Sequence, residues 1–348
     1  MNRDSDTTDL AMSVTAPGAA LVATPLRTEA AVPGWVRIRI AASGVCHADL
    51  ATVAGKSASP EHPVTPGHEI AGVVEALGSE VPGWAIGDRA AVGWFGGSCG
   101  HCHWCRSGHP VHRPERKIPG ISYRGGWAET ITVPASALAR IPEGLDFFHA
   151  APMGCAGVTT FNALRHADTP AGGRVAVFGI GGLGHLAVQF AARMGFETIA
   201  IARGPEREEL ARELGAHHYL DANEVDPGKA LRLLGGADHI ISTASTASAI
   251  PALLGGLNPL GRLTMIGVDA GTVAIPAAQV VMKAQTLCGH LTGSADDIEQ
   301  AMQFAVVNGV TPWVERLPLA EANEAVARLR AGSARFRIVL DPGEHAHE

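Results

Sequence analysis

Cysteines 99, 102 and 105 recur at every third residue in the stretch CGHCHWCRSGHPVHR. That spacing lets successive thiolates converge on one zinc ion, and a closed structural zinc site takes four ligands from Cys and His. The next donors along the chain are His109 and His112. Either a histidine closes the site, with His112 the candidate, or the loop no longer holds metal. A second set of donors is scattered through GVCHADL, PGHEIAG and PMGCAGVTT. Cys46, His68 and Cys155 together make the Cys₂His pattern of a catalytic zinc with one position left open. Each of them alone would read as a core residue.

A third motif binds phosphate rather than metal. GIGGLG, residues 179–184, follows the apolar run RVAVF and precedes LGHLAVQFAARMG. Gly179, Gly181 and Gly184 thus fall at a strand–helix corner, with Gly182 and Leu183 between them. In that context glycines permit close backbone approach to a dinucleotide pyrophosphate at the helix N-terminus. The next strand, ETIAIA, ends in Ala202 and Arg203. NAD sites usually place a carboxylate there to hold the ribose 2′-hydroxyl. A cation in its place favours the 2′-phosphate, so NADP(H) is expected over NAD(H).

These residues need elements to position them. The runs WVRIRIAASG, EIAGVVEALG, DRAAVGWFGG and AETITVPAS predict a mostly β first segment with long Gly- and Pro-marked loops. From about Gly172 strands alternate with helices, through ETIAIA, PEREELARELG, HHYLD, HIISTA and RLTMIG. This is the pattern of a doubly wound parallel sheet, an α/β Rossmann unit. The tail beyond about Thr292 reads as helix and then a returning strand, FRIVLD.

The whole chain sets bounds. Its 348 residues favour two domains. A net charge of −7 argues against nucleic acid as a partner, since phosphate binding needs a basic face. The tight cysteine triplet suits metal ligation in a reducing compartment better than disulfides. The N-terminal stretch MNRDSDTTDL lacks the apolar centre of a signal peptide, and no run approaches the ~20 apolar residues of a membrane span. A cytoplasmic protein is expected, with neither membrane nor nucleic acid as partner.

In the order and spacing of GVCHADL, PGHEIAGVV, the Cys triplet, CAGVTT and GIGGLG, the chain resembles the zinc-dependent alcohol dehydrogenases of the medium-chain dehydrogenase/reductase family, from about residue 18 to 341. The resemblance implies a GroES-like, mostly β catalytic domain, residues 1–155 and 290–348, with a Rossmann domain inserted at 156–289. It makes Cys46, His68 and Cys155 the catalytic zinc ligands. Glu69 would stand behind the metal as a transient ligand, and Asp49 would orient His68. His47 and Arg337 match positions that touch the cofactor pyrophosphate, and Thr159 one near the nicotinamide. The implied activity is hydride transfer between a nicotinamide cofactor and an alcohol, aldehyde or ketone, in a homodimer or homotetramer.

Two departures stand out. Arg113 occupies the place of the fourth cysteine of the family's structural zinc loop, one residue beyond His112. One firm zinc is therefore expected, and the second is open. Ala48 and Ala51 stand where many relatives carry a hydroxyl and a histidine that pass the alcohol proton to solvent. Their absence leaves a second reading, reduction of an activated C=C or C=N bond on the same scaffold. A reading of another class is a cofactor-binding protein without turnover, against which the complete open zinc set argues.

Overall fold

The computed structural model describes residues 8–56, 62–268 and 270–343. Most of the polar N-terminal stretch read for a signal peptide lies outside them. The fold divides into two compact units. One takes the chain up to Val158, Thr292–Val307 and the chain from Pro312 onward; the other takes Thr159–Leu291 and Asn308–Thr311. No described helix is long and apolar enough to cross a membrane.

The first unit is built on strands. Thr8–Val14 (β1) and Leu21–Arg27 (β2) form an antiparallel hairpin, and a larger sheet uses Trp35–Val45 (β3), Glu69–Leu77 (β4), Arg89–Val92 (β5), Thr130–Pro134 (β6) and Leu138–Arg140 (β7). Alternating Val and Ile of β3 and β4 pack with those of β5 and β6 into one apolar cluster, with Val36, Ile38, Ile40, Ile70, Val74 and Ile131 buried. Such half-buried, β-branched strands are what the period-2 pattern predicts.

The second unit carries the alternating elements. Its parallel sheet comprises Arg174–Phe178 (β8), Glu197–Ala202 (β9), His218–Asp221 (β10), Ala237–Ser242 (β11), Leu257–Met265 (β12) and Thr286–Gly289 (β13), in the order β10-β9-β8-β11-β12-β13. The order reverses between β8 and β11, the switch point at which doubly wound sheets bind ligands. Buried Ala176, Ile199, Ile201, Ile240 and Leu263 make the sheet apolar on both faces, as parallel strands covered by helices must be.

Val314–Pro318 (β14) and Arg337–Asp341 (β15) return to the first unit, where β15 runs antiparallel to β3 and pairs Ile338 with Val45. This places the end of FRIVLD beside GVCHADL, although hundreds of residues separate them in the chain.

Candidate active site

Cys46 follows β3 and caps the short helix His47–Val53. His68 and Glu69 sit where the chain enters β4, and Cys155 precedes the helix Ala156–Arg165. The register of β3 on β4 pairs Gly44 with Glu69, so both strand ends deliver their donors to one place. One ligand atom from each of Cys46, His68, Glu69 and Cys155 lies within 4.8 Å of the others. His68 is 2% exposed and Glu69 0%.

Asp49 organises this group. Its Oδ1 accepts from His68 Nδ1 at 2.8 Å and from the Gly67 amide at 3.2 Å, and its Oδ2 accepts from the Cys46 amide at 2.9 Å. Nδ1 is thereby committed, while Nε2 is buried without a hydrogen-bond partner. Metal-bound histidines show this arrangement, one nitrogen on a carboxylate and the other on the ion.

Electrostatics point the same way. Hydrogen bonding from Cys155 holds the Cys46 thiol well below its ordinary value, while the Cys155 thiol is pushed up by Cys46 and by burial. Burial alone would pull His68 down, but the Asp49 carboxylate outweighs it and holds the imidazole well above its usual range. Burial pushes Glu69 up to about 7, against the pull of Arg337. These groups cannot all carry negative charge together in so dry a place unless a cation joins them. Two thiolates, an imidazole nitrogen and a carboxylate oxygen gathered in one place fit zinc.

Arg337, at the start of β15, donates from Nη2 to Glu69 Oε1 and is 3% exposed. Its Nε has no hydrogen-bond partner among the described residues. Sequence reasoning gave Arg337 to the cofactor pyrophosphate; its observed partner is Glu69, with that Nε left over. Gly44 was not singled out at all. A Cβ there would lie 2.1 Å from Glu69 Oε2, so only glycine leaves room for the carboxylate. His47 is exposed at the helix start, as is Ala48 beside it.

The lobe holding the other cysteines is different. Sγ atoms of Cys99, Cys102 and Cys105 gather within 4.8 Å, all half-buried, and His112 does not join them. His112 ends the tight turn Pro110–His112, which directs its ring to solvent, 6.4 Å from that of His109. Arg113, at the position of the missing cysteine, turns to Glu115.

In the second unit, Gly179–Gly184 joins β8 to the helix Gly184–Arg193. A Cβ on Gly184 would lie 1.8 Å from the Gly179 carbonyl oxygen, so that glycine is required by the fold itself. A Cβ on Gly181 would meet nothing within 4 Å. Gly181 is exposed, Gly182 and Leu183 half-buried. A glycine with open space before it suits a ligand that comes close to the backbone, as a pyrophosphate does. Thr159 is buried, its hydroxyl donating to the Leu291 carbonyl at 3.4 Å.

Ala202 ends β9 buried, and Arg203 follows it exposed. Arg207, which sequence reasoning missed, donates from Nη1 to the Ile180 carbonyl at 2.8 Å, inside the glycine loop. Its signal was a second cation four residues after Arg203. Asp221 of β10 stands opposite Ala202, but its Oδ1 accepts from the amides of Gly204 and Asn223, each at 2.9 Å. Tyr219 donates to the Gly204 carbonyl at 2.5 Å and fixes the same turn.

Known proteins resemble the chain over most of its length. A family model described as the alcohol dehydrogenase GroES-like domain matches residues 32–143, and one described as zinc-binding dehydrogenase matches 182–306. The chain is 39% identical to the alcohol dehydrogenase notN of Aspergillus sp. (strain MF297-2) over 308 residues, 88% of this chain and 90% of that protein. With the NADP-dependent alcohol dehydrogenase C of Mycobacterium bovis (strain ATCC BAA-935 / AF2122/97) it shares 35% over 344 residues, 95% of this chain and 99% of the relative. The solved structure of a cinnamyl alcohol dehydrogenase (SbCAD4) from Sorghum bicolor superposes with a TM-score of 0.89 at 29% identity, covering 98% of this chain and all of the other. The chain belongs to the zinc-dependent alcohol dehydrogenases of the medium-chain dehydrogenase/reductase family, a GroES-like domain joined to a Rossmann domain in an NAD(P)-linked oxidoreductase.

Proposed function

We propose that this alcohol dehydrogenase interconverts a small alcohol and its aldehyde or ketone with NADPH in preference to NADH, using the buried Cys46–His68–Cys155 group as its catalytic metal site. The observation that carries the metal assignment is the buried, partnerless Nε2 of His68 facing two thiols. A zinc ion held there would supply the Lewis acid for the substrate oxygen, and the nicotinamide would supply or accept the hydride. The chain's own residues prepare that chemistry. Asp49 fixes the imidazole through Nδ1, Gly44 makes room for Glu69, and Arg337 balances the Glu69 charge behind the ligands. Glu69 Oε2 is buried without a partner, which leaves it available as a passing ligand.

Two cations support the cofactor preference. Arg203 is exposed at the tip of β9, and Arg207 is anchored on the glycine loop. Glu206, packed against Gly204, opposes them with one carboxylate. A guanidinium favours the dianionic 2′-phosphate over a ribose hydroxyl. Titration of NADPH and NADH tests this. Arg203→Ala should weaken NADPH by about 10–100-fold, at about 1.5–3 kcal/mol for one charged hydrogen bond, and leave NADH within a few-fold. Equal affinities in the parent protein would overturn the preference.

A homo-oligomer is the expected assembly. Among the described residues the outer side of β13 has no neighbour in its sheet, and Leu260 of β12 and Val281 and Met282 of the helix before β13 are 80%, 74% and 85% exposed. An open strand edge with apolar side chains is a ready surface for a second copy. Sedimentation of Met282→Asp should show a shift toward monomer; a parent protein that sediments as a monomer would sink the idea.

A further inference from the structure

The two faces of β3 differ in kind. Val36, Ile38 and Ile40 face the apolar cluster, so strand alternation turns Trp35 and Arg37 to the other side of the sheet. There Arg37 stands opposite Thr132 of β6 and is 4% exposed. Its Nη1 donates to the Glu29 carbonyl at 3.3 Å, and the Thr132 hydroxyl donates to the same oxygen at 3.2 Å. These bonds pin the stretch that follows β2 against the sheet. Beside it lies an open-sided cavity of about 620 Å³, whose walls include Arg27, Glu29, Val32, Trp35, Arg124 and Thr132. Sites for small molecules have such volumes, about 300–1,000 Å³.

The charge here runs against that of the chain, which is −7 overall. Arg27 and Arg124 face a single wall carboxylate, Glu29, and Lys117 Nζ stands 4.3 Å from the centre of the Trp35 ring. Arg124 is held in place, its Nη2 donating to the Arg27 carbonyl at 3.1 Å and lying 3.5 Å from Glu29 Oε1. Behind the wall, Glu75 stands 3.6 Å from Arg37 Nε, too far for a hydrogen bond. Nε and Nη2 of Arg37 are buried without a hydrogen-bond partner among the described residues. Apolar groups shape the rest: Val32, and the indole of Trp35, fixed edge-on by Tyr123 with ring centres 5.7 Å apart.

We infer that this cavity binds a small aromatic carboxylate, with the carboxylate between Arg27 and Arg124 and the ring against Trp35. A guanidinium fork matches the two oxygens of a carboxylate, and an indole offers an aromatic ring both area and a favourable face. Glu29 in the wall opposes a dianion, so inorganic phosphate fits less well. Trp35 opens the 11-residue strand that Cys46 follows, roughly 30 Å along the chain at about 3.3 Å per residue. The cavity is therefore a second site, apart from the Cys46–His68–Cys155 group.

The test titrates benzoate into the full-length, zinc-loaded protein and follows tryptophan fluorescence. A saturable change is expected in the parent and should vanish in Trp35→Phe. Benzamide, of the same shape without the charge, should bind about tenfold more weakly or worse, and so should benzoate to Arg124→Gln. Val32 is 50% exposed, so Val32→Glu places a repelling carboxylate in the wall without disturbing the core. It should weaken benzoate to a similar degree, and it decides the matter if Arg124→Gln fails to fold. Absence of a saturable change would overturn the inference, as would a change that survives Trp35→Phe, because benzoate would then bind elsewhere. Equal binding of benzamide, or displacement of benzoate by phosphate at equal concentration, would overturn the assigned ligand class.

Discussion

Replacing Asp49 by Asn probes whether His68 is held for a metal. Asp49 is 3% exposed and receives three donors, the His68 ring and the amides of Cys46 and Gly67. Asparagine offers one oxygen and one NH₂ in the same volume. If its oxygen takes the place of Oδ1, its NH₂ opposes the Cys46 amide, donor against donor, at the start of the helix that carries Cys46. If the oxygen takes the place of Oδ2, the NH₂ faces His68 Nδ1. That nitrogen must then become an acceptor, and the ring proton moves to Nε2, where it blocks the metal. Either orientation loses at least one hydrogen bond to a charged group, about 1.5–3 kcal/mol. At about 1.4 kcal/mol per factor of ten, zinc affinity should fall about 10–100-fold, the range found when the support of a metal-bound histidine is removed. Chelator competition in a Cys102→Ser background isolates this site from the lobe, and circular dichroism checks that the variant is folded. A folded Asp49→Asn protein that holds zinc as tightly as its parent would refute the reasoning, because His68 would then need no carboxylate to serve as a ligand.

His239 of β11 gives a pH-dependent effect away from the active site. It is fully buried, its Nε2 bonds Thr264 at 2.9 Å, and burial together with Arg262 lowers its pKa from 6.5 to about 3. The folded state therefore refuses a proton that the unfolded state accepts, and stability is lost as pH falls from about 6.5 toward 3. At pH 4.5 the loss is about 3 kcal/mol. His239→Gln should remove that part of the acid sensitivity, read as a smaller drop in urea midpoint between pH 7 and 4.5; an unchanged drop refutes it. Ala48→Thr with Ala51→His restores the missing hydroxyl and terminal base on the helix His47–Val53. Alcohol oxidation near neutral pH should rise and its solvent deuterium isotope effect change, by up to about 10²-fold in rate. If neither moves, proton removal never limited the reaction.

Legibility in the sequence depended on whether a signal was local. The strand RVAVF, the glycine corner and the following helix are one continuous stretch, and each stands where its pattern put it, as β8 and Gly184–Arg193. β1 and β2 gave less, because Pro25 and exposed polar residues break their alternation. β13, TLCG, and β14, VERLP, lack the apolar run that marks RVAVF. Ligand types were readable, but their convergence was not. The Glu69–Arg337 contact joins residues 268 apart and depends on β15 pairing with β3, which no window on the sequence contains. Asp49 and Glu69 were found through the resemblance, since a carboxylate near a histidine has many unremarkable meanings. His112 stands outside the sulfur group among the described residues, at the end of a tight turn of three residues that spacing alone does not reveal.

The two sulfur groups show that the number of ligands does not by itself define a metal site. Each gathers three strong Cys or His donors, and the difference lies in what surrounds them. Around the buried group, Asp49, Glu69 and Arg337 are spent on orienting and balancing the ligands, and Gly44 keeps space for one of them. Losing a metal there would strand charges in a dry interior, which costs several kcal/mol, so retention is enforced by the whole strand junction. The lobe has backbone amides and the Ser98 hydroxyl as its supports: amides of His101 and Cys102 lower the Cys99 thiol to about 6, and Ser98 lowers that of Cys105. Water can solvate those sulfurs once a metal departs, so little resists its exchange. An open position inside a rigid, charge-balanced shell suits a reaction, because the shell stays fixed while ligands pass through it.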